Sequence, residues 1–255
     1  MSFELENIYA LMLCFVRTGA LFMAVPVFGG SSIPMQVRIL LAMLVSVMML
    51  PMAQSVDLTS ATVPVLATAM LFEFFIGMLM GLAIQAVLSC IHFASETITN
   101  EIGLLRMENF NPGSDTGSGG GLSTMLYYFS LMIFLALGLH REVIAALARS
   151  FQALPAGSLN TSGLSFSALM HVTLQLFIMG LLISAPFIAI NFIVNTTFSL
   201  LGKVAPKMNV FAVSFSVRIL VGFTALSFTA ALLAHYIGAE FTQVPGRMLD
   251  IVLGR

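Results

Sequence analysis

An unbroken apolar run extends from Val63 to Ile91 and contains one charged residue, Glu73. A bilayer core about 30 Å thick needs roughly 20 apolar residues in a helix, so this run is long enough to cross it. An open strand in lipid would leave its backbone groups unpaired, whereas a helix pairs them within one segment. The run therefore predicts a helix that spans a membrane.

The rest of the chain has the same apolar character. Of its 255 residues, 59% are hydrophobic and 8% are charged, and the mean hydropathy is +1.03. Because a soluble domain carries about 25% charged residues, this composition excludes a water-soluble globular domain. The formal net charge of -1 shows no basic excess of the kind that nucleic-acid-binding proteins carry. We therefore expect a membrane protein that binds no nucleic acid.

The pattern of apolar runs predicts an all-α protein, a membrane-associated bundle of long kinked helices. Pro186 lies inside the fifth predicted helix and should kink it, because proline removes a backbone hydrogen bond. The acidic start of the chain and the charge of Arg17 are unlike a cleaved signal peptide, so residues 1–25 are expected to be mature structure. The candidate helices are 8–25, 36–54, 63–100, 122–148, 165–200 and 208–242.

Charged residues that fall inside or at the edge of the apolar helices include Arg17, Arg38, Glu73, Glu96 and Arg218. A charge at a helix centre costs about 2.5–3.5 kcal/mol on insertion scales, so each needs a protein partner or a wet cavity. They could line an ion or proton path, or they could form buried ion pairs or subunit contacts. We favour the second interpretation, because a proton path usually strings several titratable groups along one face.

No pattern in the chain is typical of an enzyme or of a metal site. The four histidines have no second ligand at helical spacing, and nucleotide-binding, nucleophile-elbow and zinc-protease motifs are absent. We therefore predict no catalytic residue, no metal and no cofactor. Cys14 and Cys90 lie in apolar runs and are interpreted as packing residues. Gly77 and Gly81 form a G-x-x-x-G motif, which lets another helix approach closely.

The central segment, residues 103–121, reads GLLRMENFNPGSDTGSGGG. Its first part is apolar, which a water-exposed connector does not require; the residues are Leu104, Leu105, Met107 and Phe110. Its second part is rich in a residue that takes backbone angles closed to others, at Gly117, Gly119, Gly120 and Gly121. Two interpretations follow from the residues alone: a plain connector, or an apolar plug on a flexible tether.

Motifs spread along nearly the whole chain carry a family resemblance. They are Arg17, Pro26-Val27-Phe28, Ile33-Pro34, Val37-Arg38, Glu73 with Gly77 and Gly81, Ile102-Gly103, Asn111-Pro112, Gly138 with His140, Ser150-Phe151, Leu154-Pro155 with Gly157, and residues 205–211. In order and spacing they resemble the FliR/SctT family, the R-type subunits of the flagellar and virulence type III secretion export gate. The chain departs from the family pattern in the central segment, where Asp-Pro is expected in place of Asn111-Pro112.

The resemblance implies a helical, ring-like hetero-oligomer around a protein-export channel. Residues 1–158 would resemble a P-type subunit, and residues 159–255 a Q-type helical hairpin with a C-terminal tail. The central segment would be the plug that closes the channel. Its partners would be P-type and Q-type subunits, a B-type switch subunit and unfolded exported proteins. Its place would be the bacterial inner membrane, partly raised toward the periplasm, in the flagellar basal body.

Two other functions are compatible with so apolar a chain. A self-contained small secondary transporter or channel would use Glu73 and Arg218 at an intramembrane site. Transporters usually contain two halves related by symmetry, and no such repeat is visible here. A lipid-facing structural subunit without a channel role is the remaining alternative.

Overall fold

The structure is a computed structural model of the chain. It describes residues 2–25, 33–53, 63–104, 121–157, 166–205, 207 and 209–253. Within these ranges all regular structure is helical and no strand occurs. The prediction of an all-α, membrane-associated protein is confirmed.

The described ranges contain seven α-helices of 15 to 44 residues. They are α1 (Ser2–Ala24), α2 (Met35–Met49), α3 (Val63–Ile102), α4 (Gly121–Ala136), α5 (Leu139–Ala153), α6 (Phe166–Val204) and α7 (Val210–Leu253). By length and composition α1, α2, α3, α6 and α7 can each cross a membrane. The bent pair α4 and α5 would add a sixth crossing if it is one span.

The prediction of one helix over 122–148 is wrong, because the chain bends by 65° between α4 and α5. Gly138 lies at the bend with φ 69°, a left-handed conformation that glycine adopts without steric cost. After the bend the distribution of apolar residues around the helix changes. Helix α5 is amphipathic and buries one face at helical spacing: Leu139, Val143, Ala146, Leu147, Ser150 and Phe151.

Other predicted helix ends differ from the structure as well. Helix α1 begins at Ser2 rather than 8. Helix α2 ends at Met49 rather than 54, and a short 3-10 turn, Leu50–Met52, with Pro51 inside it, follows. Helix α7 continues beyond 242 to Leu253 and passes through Pro245. Its last turns are held by buried apolar side chains at helical spacing: Val244, Met248, Ile251 and Val252.

The described chain forms two compact units, and unit 1 comprises Met1–Val87, Gly138–Leu174 and Thr242–Arg255. Within it α1 packs on α2, and both α1 and α5 contact the 3-10 turn after α2. The core of unit 1 takes side chains from α1, α3, α5 and the end of α7: Leu13, Cys14, Leu21, Ile76, Ile84, Val143, Leu147, Phe151, Met248 and Val252.

Unit 2 comprises Leu88–Leu137 and Gln175–Phe241. The buried side chains of Ile98, Ile102 and Phe187 form a core cluster in this unit. Partly buried residues pack against the cluster from three helices, α4, α6 and α7, and from the turn after α3: Leu104, Leu122, Leu126, Ile183, Ala225 and Leu226. The predicted division into residues 1–158, which would resemble a P-type subunit, and residues 159–255, which would resemble a Q-type hairpin, stays a prediction.

Candidate functional site

A buried ion pair joins α1 to α3 inside unit 1. Arg17 and Glu73 have exposed fractions of 0% and 1%. The guanidinium donates through Nε to Glu73 Oε2 and through Nη2 to Oε1, the latter at 3.0 Å. Such two-point pairing fits the planar geometry of both groups and is stronger than a single hydrogen bond.

Helix α5 and the turn after it complete this site. Arg17 donates through Nη1 to Ser150 Oγ at 3.3 Å and through Nη2 to the Leu154 oxygen at 3.1 Å. The Gly157 backbone N–H donates to Glu73 Oε1 at 2.9 Å. The Phe151 ring centroid lies 4.1 Å from Arg17 Cζ, within the range of a cation–π contact. The pair and its surrounding partners therefore tie three separate stretches of the chain together.

The close approach of α1 and α3 depends on the two glycines of the G-x-x-x-G motif. A methyl group at Gly77 would overlap the backbone oxygen of Arg17, and one at Gly81 would overlap Ala24. The prediction that this motif admits a neighbouring helix is confirmed. Tyr9 adds a further bond between the same helices by donating from Oη to the Leu66 oxygen at 3.0 Å.

The arrangement around Arg17 and Glu73 has the properties of a structural tie. Both carboxylate oxygens and all three guanidinium nitrogens have protein partners within the unit. A buried charge with every polar atom partnered is held in one geometry. In the described ranges no group of three or more His, Cys, Asp or Glu side chains could hold a metal ion.

The other predicted charged residues have separate surroundings. Arg38 is half-buried, and its Nη2 lies 3.5 Å from the Ile33 oxygen. Glu96 is 43% exposed, and its Oε1 lies 3.5 Å from Nε2 of His92 one turn earlier. Arg218, in unit 2, donates through Nη2 to Asn195 Oδ1 at 2.6 Å. None of these three contacts is buried to the degree of the Arg17–Glu73 pair.

Two polar groups in unit 2 are not among the predicted site residues. Asn191 donates from Nδ2 to Glu101 Oε2, which ties α6 to the last turn of α3. Polar Asn191 and Asn195, one helical turn apart in an apolar helix, are the sequence signal that predicts a neighbouring partner or water here. Glu240 is a buried carboxylate of α7 with an exposed fraction of 6%. It lies inside the predicted helix 208–242 and was overlooked there.

The two ends of the central segment lie in unit 2. Helix α3 ends at Ile102, and Gly103 follows with φ 94°. Leu104, at the start of the segment, and Leu122, just after its end, both pack against the same core cluster. The remaining predicted plug residues lie outside the described residues, except Gly121 at the start of α4: Leu105, Met107, Phe110, Gly117, Gly119 and Gly120.

Comparison with known proteins identifies the family. The sequence profile described as "Bacterial export proteins, family 1" matches residues 8–244. The chain belongs to this family. The prediction of the FliR/SctT family is therefore confirmed, and it is a family of structural export components rather than of enzymes.

Relatives of this FliR/SctT chain match it over nearly their whole length. It is similar to flagellar biosynthetic protein FliR of Caulobacter vibrioides, with 26% identity over 96% of each chain. It is also similar to FliR of Pectobacterium carotovorum, with 28% identity over 93% of this chain and 90% of the relative. FliR of Escherichia coli is 25% identical over the same shares.

Membership and the apolar helices together make this FliR/SctT protein a subunit of a membrane export apparatus. The transporter alternative finds no support in these matches. The two residues that it would place at one site also have different partners. Glu73 is paired with Arg17, whereas Arg218 is bonded to Asn195.

Proposed function

We propose that this protein is a structural, pore-forming subunit of the flagellar export gate in the bacterial inner membrane, and that its central segment closes the export channel. The flagellar assignment is supported by the names of relatives that match almost end to end. The observation that supports the plug hypothesis is that the two ends of the central segment lie close to the same core cluster. Both the start and the end of the central segment are anchored on the core cluster of unit 2.

This anchoring suits a plug better than it suits a plain connector. A connector has to span the distance between the helices that it joins, whereas here Leu104 and Leu122 pack on the same cluster. The intervening residues are therefore not needed to bridge a gap. They contain the apolar side chains of Leu105, Met107 and Phe110, each worth about 1.5–3 kcal/mol if it is buried when the channel is closed.

Companion subunits are the second part of the proposal. The protein would join P-type and Q-type subunits, and a B-type switch subunit, in a ring partly raised toward the periplasm. Residues 1–158 would take a P-type position and residues 159–255 a Q-type position. Large apolar side chains that are exposed on the chain support companions; they include Leu40, Met48, Phe192, Ile193 and Phe228. Unfolded exported proteins would be the cargo.

The predicted charged residues divide into two roles in this proposal. The Arg17–Glu73 pair fixes the helices of unit 1 against one another, as its complete set of internal partners suggests. The other three are less buried than this pair, and in this proposal they would contact neighbouring subunits: Arg38, Glu96 and Arg218.

The plug is tested by changing its apolar residues without changing its length. In one variant Leu105, Met107 and Phe110 are all replaced by serine. In the control the polar residues of the same segment are replaced instead, as Ser114→Ala, Thr116→Ala and Ser118→Ala. Each chain is expressed with its partner subunits, co-purification confirms assembly, and leakage of small ions or dyes through the cell membrane is measured.

We expect the serine variant to assemble and to leak, and the control to assemble and stay tight. The physical reason is that a hydroxymethyl side chain does not exclude water from a constriction as a large apolar side chain does. An assembled serine variant with a tight membrane would contradict the plug. Purification of the chain as a stable monomer without unlike partners would contradict the export-gate assignment itself.

A further inference from the structure

The last residue of α3 is seated directly on a glycine of α7 in unit 2. A methyl group built on Gly222 would lie 2.6 Å from Cγ1, 3.0 Å from Cγ2 and 3.2 Å from Cβ of Ile102. Carbon atoms that are not bonded to each other normally stay about 3.5–4.0 Å apart. Ile102 therefore fills the space that any side chain at position 222 would need. The exposed fraction of Ile102 is 1%.

The residue before Ile102 is also held by another helix. Glu101 accepts a hydrogen bond from Asn191 of α6. Gly103 turns the chain with φ 94° close to α7, where a Cβ at this position would lie 3.5 Å from the Phe215 ring. Two consecutive residues, Glu101 and Ile102, are thus held from outside α3 immediately before the chain turns into the central segment.

We propose that Gly222 is a positioning residue, whose missing side chain seats Ile102 and so sets where the central segment leaves α3. This inference rests on the proposed plug, because the position of the exit matters only if the segment has to reach a defined place. Gly222 itself would touch neither the plug nor an exported protein. It acts through Ile102, and Ile102 acts through the turn at Gly103.

The direct test measures the accessibility of the first residue after the turn. Leu104→Cys is introduced into the full chain, and its reaction rate with a charged maleimide is measured in the complex purified with its partner subunits. The rate of the same chain without Leu104→Cys is subtracted, because Cys14 and Cys90 are native free thiols. Ion leakage and the thermal stability of the complex are measured in parallel.

Four variants are compared in the Leu104→Cys background, and the leakage of each is measured without Leu104→Cys, because Leu104 is itself a predicted plug residue. Gly222→Ala adds the methyl group that overlaps Ile102. Gly238→Ala is the matched control in the same helix and unit, since its new methyl group would meet only an ordinary contact of 3.6 Å with Leu137. The double variant Gly222→Ala with Ile102→Ala removes the two closest carbons, Cγ1 and Cγ2, and is compared with Ile102→Ala alone.

We expect Gly222→Ala to raise the labelling rate on the order of tenfold and to leak, because overpacking forces neighbouring groups to shift. Gly238→Ala should do neither. The double variant should label no faster than Ile102→Ala alone, since the two closest carbons are then absent and only Cβ of residue 102 lies near the added methyl group, at 3.2 Å. A purely structural role would lower thermal stability and leave the labelling of Leu104→Cys at the parental rate. If Gly222→Ala does not co-purify, Ile102→Ala alone tests the same contact, because it removes Cγ1 and Cγ2, and it should label faster than the control.

Failure of this inference can be told from failure of the plug. Parental labelling of Gly222→Ala, or additive effects in the double variant, would overturn the positioning role. If Gly222→Ala labels fast but does not leak, while the serine variant of the central segment leaks, the positioning role is overturned and the plug hypothesis is retained. If neither variant leaks, the plug has failed and the positioning role fails with it.

Discussion

Removing one partner of the Arg17–Glu73 pair should destabilise the protein strongly. Glu73→Gln keeps the size of the side chain but leaves the Arg17 guanidinium, with 0% exposure, without a counter-charge. Two of the four hydrogen bonds that Arg17 makes to Glu73, Ser150 and Leu154 lose a charged acceptor. Breaking a buried pair in this way costs about 3–5 kcal/mol. At about 1.4 kcal/mol for each factor of ten, that lowers the folded-to-unfolded ratio roughly a thousandfold.

The assay is a denaturant titration of the complex purified with its partner subunits in mild-detergent micelles, with the free energy of unfolding of this chain taken by linear extrapolation. Glu96→Gln is the matched control in the same helix, because this carboxylate is 43% exposed and lies 3.5 Å from the half-exposed His92. An exposed pair contributes about 0–1 kcal/mol, so the control should stay close to the parent.

A double variant separates the interaction energy of Arg17 with Glu73 from the contacts that each side chain makes with its other neighbours. Arg17→Met with Glu73→Gln removes both charges, so it should lose about 2–3 kcal/mol less than the sum of the two single losses. If Glu73→Gln unfolds within about 1 kcal/mol of Glu96→Gln, the structural account of this pair is refuted. If the double loss equals the sum, Arg17 and Glu73 are not coupled.

Two further predictions use the same titration. Gly77→Ala should lower the free energy of unfolding by about 1–3 kcal/mol, because its methyl group would overlap the α1 backbone, whereas Gly19→Ala should cost nothing, because no atom lies within 4 Å of the new group. Equal effects of the two would contradict the close packing. Gly138→Ala should cost about 1–2 kcal/mol, because φ 69° is strained for any residue with a Cβ, and an unchanged stability would show that the bend does not require glycine.

The membrane-crossing helices could be predicted because their signal is local. The run from Val63 to Ile91 contains enough apolar residues to cross a bilayer, whatever the rest of the chain does. The end of α7 had a local signal as well. Val244, Met248 and Ile251 recur at helical spacing, but polar residues between them hid the pattern.

The bend at Gly138 could not be deduced in the same way. A single glycine is tolerated inside a helix at a cost of about 1 kcal/mol, so an apolar pattern that runs through it favours a continuous helix. What decides the bend is the amphipathic face of α5, which is buried in unit 1. That burial is a property of the folded chain and not of the residues around Gly138.

The partners of the buried charges could not be predicted from the sequence either. The cost of burying Arg17 shows that it needs a partner, but it does not say which one. Glu73 lies 56 positions away in the chain, and Ser150 lies 133 positions away. Their meeting depends on the packing of α1, α3 and α5, so only the three-dimensional structure identifies them.

The separation of Arg17 from its carboxylate also has a consequence for biogenesis. Translation delivers α1 to the membrane before the ribosome has made Glu73, and α1 has the lowest mean hydropathy of the spans, 1.5 against 2.2 for α3. A lone arginine in lipid is unfavourable by about 2.5–3.5 kcal/mol. Pairing with Glu73 removes this cost when the third helix arrives, so we expect α1 and α3 to stabilise each other in the bilayer during biogenesis.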